Sequence, residues 1–286
     1  MKPETLNLKK VIVIGAGVMG RGIAITCARA GYQTTLYDLN EAALPSAKAH
    51  AEKFFGSSVT RGKMTEQEKE EALGRMSYTA DFGELKADII IEAILERLDI
   101  KQELFAKLEA QNGPDTIFAS NTSTIPITRI AAKLERPQQV VGMHFFNPAP
   151  IMKLVEVISG VKTDPKVADT VFEFAQKLKK TAVRAKDEPG FIVNRVARHF
   201  YVESLLLLEE GIADHETLDK LVRATGFRMG PFELMDLIGI DTNLSVTKSM
   251  YDAFFQDEKF RPSRIQQQKV DAGQIGRKSG AGFYQY

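Results

Sequence analysis

The chain has 286 residues, 44% of them apolar, and 38 basic against 37 acidic side chains leave a formal charge of +1. That length suits one large domain or two ordinary ones, and that apolar content excludes a disordered chain. Near-neutral charge gives no basis for a nucleic-acid or membrane-surface partner, and a single cysteine, Cys27, excludes an intrachain disulfide.

The opening segment "MKPETLNLKK" lacks the apolar core of a secretory signal, and no apolar run reaches the ~20 residues of a membrane span. The expected location is the cytoplasm. "KVIVIGAGVMGRGIAITCARAGY" begins with an apolar, β-branched run, Val11 to Ile14, then turns through glycines into a helix. "QTTLYD" reads as a second strand ending at Asp38, which makes a βαβ unit. Residues 41–75 are too long for a loop and read as two helices around the turn "GSSVTRGK", a hairpin projecting from the sheet, with Thr65 capping the second helix.

Short apolar runs follow at 88–93, 116–120, 140–146, 152–158 and 181–185, with helical patterns such as "DIKQELFAKLEAQ" and "DPKVADTVFEFAQKLKK" between several of them. Strands alternating with helices predict an α/β fold, a mostly parallel Rossmann-type sheet with the helical hairpin inserted. After "KDEPG" the strand signals stop. Residues 1–188 therefore read as a dinucleotide-binding domain and 189–286 as an all-helical one. The latter holds "FIVNRVARHFYVESLLLLEEG", a helix capped by Asp214, and "GPFELMDLIG" with proline at its first position.

Gly15, Gly17 and Gly20, with Val18 and Met19 between the last two, form G-x-G-x-x-G between strand and helix. The first glycine permits the tight turn, the second lets a pyrophosphate approach the backbone, and the third lets helix and strand pack closely. Asp38, eighteen residues past Gly20, can accept hydrogen bonds from a ribose 2′-hydroxyl, and Leu39 and Asn40 offer no arginine for a 2′-phosphate. NAD is thus expected over NADP.

Ligands of open α/β sheets sit beyond the carboxyl ends of the strands. Three segments supply polar side chains there: "IEAILE" with Glu92 and Glu96, "SNTST" at 120–124, and His144 near the end of "VVGMHFF". Oxidising an alcohol needs a base for the hydroxyl proton, and a histidine titrates near working pH. A carboxylate on its other ring nitrogen fixes the tautomer, and Glu156 is placed for this if its strand lies beside that of His144. The residues alone leave two readings open, a satisfied core pair or a catalytic one. "SNTST" reads equally as a polar loop or helix cap, and Asn194 as a helix bridge or a cleft residue. His50, His199 and His215 lie in charged helical settings and read as non-catalytic. No Cys/His spacing suggests a metal, and no G-x-S-x-G elbow accompanies Ser123.

These motifs resemble those of the L-3-hydroxyacyl-CoA dehydrogenase family, of the bacterial 3-hydroxybutyryl-CoA type. The likeness extends over nearly the whole chain, through "GAGVMGRGIA", "SNTST", "GMHFFNPAPIMKLVEV", "DEPGFIVNR", "GPFELMDLIGID" and "RKSGAGFY". It implies His144 as base, Glu156 as its partner, and Ser123 and Asn194 as residues that hold the substrate oxygen or the histidine. It further implies that Glu96, Lys101, Asn121 and Ser123 join the NAD site, and that basic residues of the hairpin meet the CoA phosphates. Lys53, Arg61 and Lys63 stand where the latter are expected, although the hairpin sequence diverges and they serve equally as solvated charges. The implied substrate is a short (S)-3-hydroxyacyl-CoA, and the implied assembly a homodimer through the helical domain. A polyol or sugar-acid dehydrogenase of the same superfamily and a catalytically idle NAD-binding protein are the rival readings.

Overall fold

A computed structural model describes residues 8–286. The chain divides into two compact units, one ending at Glu188 and the other spanning Pro189–Tyr286.

The first unit is built on eight strands: β1 (Lys10–Ile14), β2 (Gln33–Tyr37), β3 (Met76–Thr79), β4 (Ile89–Glu92), β5 (Ile117–Ser120), β6 (Val140–Phe145), β7 (Leu154–Ser159) and β8 (Thr181–Lys186). They lie in the order β3-β2-β1-β4-β5-β6-β7-β8. The strands from β3 to β6 pair in parallel, β7 runs antiparallel to β6, and β8 is parallel to β7. The central strands are buried on both faces, Val11 to Val13 and Ile89 to Ile91 completely, as expected of a sheet covered on both sides. β1 is paired to β2 on one side and β4 on the other, so the chain reverses its direction of travel across the sheet at β1 and β4. A crevice opens there at the carboxyl ends.

Helices α1 (Val18–Arg29), α2 (Leu44–Thr60), α3 (Glu66–Gly74), α4 (Leu98–Gln111), α5 (Ile127–Ala131) and α6 (Pro165–Lys177) complete this unit. In α6, Val167, Val171, Phe174 and Ala175 recur at helical spacing and are buried toward β6, β7 and β8. α1 is apolar on more than one face because it is covered twice. Its Ile23, Ala24 and Cys27 join the main core with Val11 of β1, while Ile25 packs with Ala51, Phe55 and Ala72 of the α2–α3 hairpin. The hairpin thus rests on α1 rather than only projecting from the sheet. Phe55 is fully buried there, and its truncation to alanine should cost about 3–5 kcal/mol.

The sequence reading needs correction at three places. The turn "GSSVTRGK" is shorter than expected, because α2 continues through Gly56–Thr60. Ser58 and Thr60 bond their hydroxyls back to Phe54 O and Gly56 O, so these turn-prone residues are satisfied inside a helix. β3 and α5 escaped notice. β3 is a half-buried edge strand of four residues, and α5 has only five. Thr65 does cap α3, in a reciprocal capping box with Glu68.

The second unit consists of helices α7 (Val193–Glu209), α8 (His215–Ala224), α9 (Pro231–Ile238), α10 (Ile240–Ala253) and α11 (Arg264–Asp271) around Tyr201, Leu205, Leu218, Phe232, Met235, Ile240 and Phe283. Asp214 caps α8 through Thr217 N. Two buried acids staple the irregular parts. Asp219 accepts from Phe232 N, Glu233 N and the Tyr284 hydroxyl, and Asp236 accepts from Phe283 N and Tyr284 N. A Cβ on Gly282 would lie 2.1 Å from Asp236 Oδ1, which explains a glycine in the final segment.

Candidate active site

At the sheet's switch point, Gly15 takes φ +102°, a conformation L side chains rarely adopt, and a Cβ there would meet Ala93 O at 2.7 Å. A Cβ on Gly20 would fall 1.7 Å from Gly15 O. Nothing lies within 4 Å of a Cβ on Gly17. Protein packing therefore requires Gly15 and Gly20, whereas Gly17 borders open space at the helix N-terminus. No side chain caps α1 and no acid sits in its first turn, so its positive end faces the crevice unneutralised. Met19 is half-buried against the core, and the apolar side chains of Val18, Leu39 and Leu95 stand exposed at the ends of β1, β2 and β4. Asp38 Oδ2 accepts from Ala16 N at 2.6 Å and Oδ1 from Asn40 N at 2.9 Å, which ties the end of β2 to the glycine turn. An open glycine cradle, a bare helix end and an acid at the neighbouring strand fit a dinucleotide.

Beyond β4 lies a buried polar network. Lys101, 1% exposed, donates to Glu92 Oε1 at 2.6 Å and lies 3.2 Å from Glu96 Oε2. Glu92, wholly buried, also accepts from Ser120 Oγ and Ile94 N. Glu96 Oε1 in turn accepts from Thr122 Oγ1 at 2.6 Å, Ser123 N at 2.8 Å and Thr124 N at 3.1 Å. Burial pushes the Glu96 carboxyl up, but Lys101 and the donors on Thr122 and Ser123 together outweigh it and hold it below the ordinary carboxylate range. Lys101, expected in the NAD site, is thus paired with the carboxylates of Glu92 and Glu96. Asn121 accepts from Phe145 N at 2.8 Å with its side chain and donates its own N–H to Glu92 O, bracing β4, β5 and β6 together.

The third group is a relay across the β6–β7 pair. His144 and Glu156 occupy directly paired positions, their ring nitrogen Nδ1 and Oε2 2.8 Å apart. Ser123 Oγ lies 3.2 Å from the opposite nitrogen, Nε2. Glu156 is wholly buried, His144 is 4% exposed, and the Phe146 ring lies 4.5 Å from the imidazole. An ionised carboxylate accepts and cannot donate, so with Glu156 ionised the favoured tautomer carries its proton on Nδ1, and Nε2, on the Ser123 side, is the free lone pair.

The remaining expected residues lie on other elements. Lys53, Arg61 and Lys63 are exposed on the hairpin. Asn194 is half-buried in the first turn of α7, in the second unit. His50 sits on α2, where burial and the charges of Arg21 and Lys53 lower its pKa. Among the described residues no group of three His, Cys, Asp or Glu could hold a metal, and no helix is long and apolar enough to cross a membrane.

The NAD binding domain of 3-hydroxyacyl-CoA dehydrogenases matches residues 10–188, and the C-terminal domain of the same family matches residues 190–286. The chain belongs to the 3-hydroxyacyl-CoA dehydrogenase family. Its first unit is that family's NAD-binding domain, and the cofactor is NAD. The chain is 46% identical to 3-hydroxyadipyl-CoA dehydrogenase of Escherichia coli over 98% of its own length, but it spans only 60% of that relative. It is 42% identical to a probable 3-hydroxybutyryl-CoA dehydrogenase of Bacillus subtilis, over 98% of each chain. Among solved structures, (S)-3-hydroxybutyryl-CoA dehydrogenase from Ralstonia eutropha matches with a TM-score of 0.94 at 37% identity, covering 98% of this chain and 99% of that one.

Proposed function

We propose that the protein interconverts short (S)-3-hydroxyacyl-CoA and 3-ketoacyl-CoA thioesters, 3-hydroxybutyryl-CoA foremost. The observation that carries this reading is the relay Ser123–His144–Glu156 at the carboxyl ends of the sheet that bears the glycine cradle. Bound NAD supplies the hydride acceptor. Gly15, Gly17, Val18, Met19 and Gly20 would offer backbone to its phosphates and Asp38 would accept from its ribose, with Glu96, Asn121, Ser123 and Lys101 completing the site.

His144 Nε2 takes the proton of the substrate 3-hydroxyl. The positive charge that develops on the imidazole is met by Glu156, which is already in place. Ser123 Oγ, within reach of Nε2, holds the oxygen as it becomes a carbonyl, and Asn194 is proposed to serve the same oxygen. In the reductive direction the imidazolium returns its proton. The nearby Phe146 ring and the near-complete burial of His144 and Glu156 keep bulk water from the pair, which strengthens its electrostatics. Lys53, Arg61 and Lys63 are proposed to meet the CoA phosphates, and a homodimer is proposed to form through the helical unit, whose exposed Val196, Leu221 and Phe227 are suited to burial.

Oxidation and reduction rates over a chain-length series of acyl-CoA thioesters, with 3-hydroxyadipyl-CoA included and with NADH and NADPH compared, test the reading. Four-carbon thioesters with NADH should turn over fastest. A clear preference for the dicarboxylic thioester would reassign the substrate, and tight NAD binding without turnover of any thioester would refute the enzymatic reading.

A further inference from the structure

The strands that carry His144 and Glu156 are joined by residues 146–153, and this connection is held in an unusual way. Lys180, 7% exposed, donates its ammonium to the carbonyls of Ala149 at 2.5 Å and Met152 at 2.7 Å. Arg29, the last residue of α1, donates Nη2 to the carbonyl between them, Pro150 O, at 3.1 Å. Both hydrogen-bond partners of the Lys180 ammonium are carbonyls, so no carboxylate offsets its burial through those bonds. Burial first, and Arg29 second, push its pKa down to about 8. The fold also accepts backbone strain beside it. Lys179 sits at φ +60°, which an L side chain tolerates poorly, and that left-handed residue closes α6 and turns the chain into Lys180 and β8. The connection is seated close against α1 as well. A Cβ on Gly22 would lie 3.1 Å from Pro150 Cδ and 3.2 Å from Ala149 Cβ. Yet the same connection leaves Ile151 and Met152 exposed, so apolar burial does not hold its tip.

We propose that Lys180 and Arg29 are positioning residues: by gripping three carbonyls of the β6–β7 connection they fix how His144 sits on Glu156. His144 lies two residues before this connection and Glu156 three after it, with only the β6–β7 ladder between connection and pair. A looser connection lets the two strands shift and the 2.8 Å Nδ1–Oε2 contact lengthen. The inference rests on the functional reading above for its effect on turnover, but not for its effect on the imidazole itself.

The test uses the full chain with Lys180→Met, Lys180→Arg and Arg29→Met. The low-field proton resonance of the His144 Nδ1–H, assigned by its loss in His144→Gln, reports the seating directly. It should shift or broaden in Lys180→Met, recover toward the native position in Lys180→Arg, and move less in Arg29→Met. Turnover should fall about tenfold in Lys180→Met and about threefold in Arg29→Met with KM values within about twofold, as expected of a small misplacement of the base. Arg29 is exposed, so Arg29→Met decides the matter if Lys180→Met does not fold. Folded variants with a native imidazole resonance and native turnover would overturn the proposal, whatever their melting temperature. If the native protein turns over no acyl-CoA, the functional reading falls, and the resonance still decides the grip on the connection.

Discussion

Glu156→Gln is the sharpest perturbation of the proposed chemistry. The amide keeps an oxygen that can accept from His144 Nδ1–H, so the tautomer and the neutral hydrogen bond survive while the charge is removed. Glu156 is wholly buried, His144 is 4% exposed, and the contact is 2.8 Å. Opposite charges with centres about 4 Å apart attract by about 4 kcal/mol at an effective dielectric near 20. A base that is to accept the proton starts as the uncharged imidazole and feels little of this, so nearly the whole sum is lost where the imidazolium forms. Each 1.36 kcal/mol is tenfold in rate, which gives a fall in kcat of about 10²–10³-fold with KM nearly unchanged. The assay is NADH absorbance with acetoacetyl-CoA in one direction and 3-hydroxybutyryl-CoA in the other, each repeated with a deuterium-labelled hydride donor. A larger isotope effect should accompany the slower chemistry. A loss below tenfold, or a raised KM at native kcat, would refute the charge-stabilising role of Glu156.

Three further outcomes follow from the geometry. Gly17→Ala should leave the melting temperature unchanged and weaken NAD binding, whereas Gly20→Ala should damage both, because only the latter Cβ strikes backbone; equal effects in calorimetry and NAD titration would contradict the open-cradle account. Asp38→Asn keeps an acceptor for Ala16 N but removes the charge, so NADPH should gain on NADH in kcat/KM by at least about tenfold (about 1.4 kcal/mol), and an unchanged ratio would remove Asp38 from cofactor choice. Burial holds the Cys27 thiol well above its ordinary range, so the unfolded chain loses this proton first and stability falls as pH rises past the unfolded value. Relative to Cys27→Ala, the native protein should lose about 2 kcal/mol between pH 8 and 10 in urea melts, and parallel pH profiles would show that the thiol is not so shielded.

The Rossmann-type architecture was legible because its signals are local. β1 is a continuous apolar run, the glycines have fixed spacing, and Asp38 ends the next strand. His144 and Glu156 were legible as candidates because each interrupts an apolar run, but their pairing was not, since register depends on the connection and on the strand order. The helix through Gly56–Thr60 was misread because serine, threonine and glycine favour turns until the hydroxyls find partners one turn back. Lys180 gave no signal at all. In "KLKKTAV" it is one lysine among three, and only the tertiary fold buries it while leaving Lys177 and Lys179 exposed.

The one reversal of strand direction in the sheet explains how His144 and Glu156 can pair although only twelve residues separate them. Parallel neighbours need a crossover of a dozen or more residues, usually a helix, so residues facing each other across two parallel strands are far apart in sequence. From β1 to β6 the first unit obeys this rule, and the groups it gathers at the carboxyl ends, Gly15, Asp38, Glu92 and Ser123, come from distant segments. β7 breaks the rule by returning beside β6. His144 and Glu156 therefore share one hairpin, and their separation is set by a single connection rather than by the packing of several helices. That economy has a consequence for what must be rigid. An eight-residue connection between two strands is free to flex unless its backbone is tied down, and here the ties come from α1 and from the junction of α6 and β8. α1 also presents its bare N-terminus to the proposed pyrophosphate, so one helix bears on both the glycine cradle and the connection that follows His144.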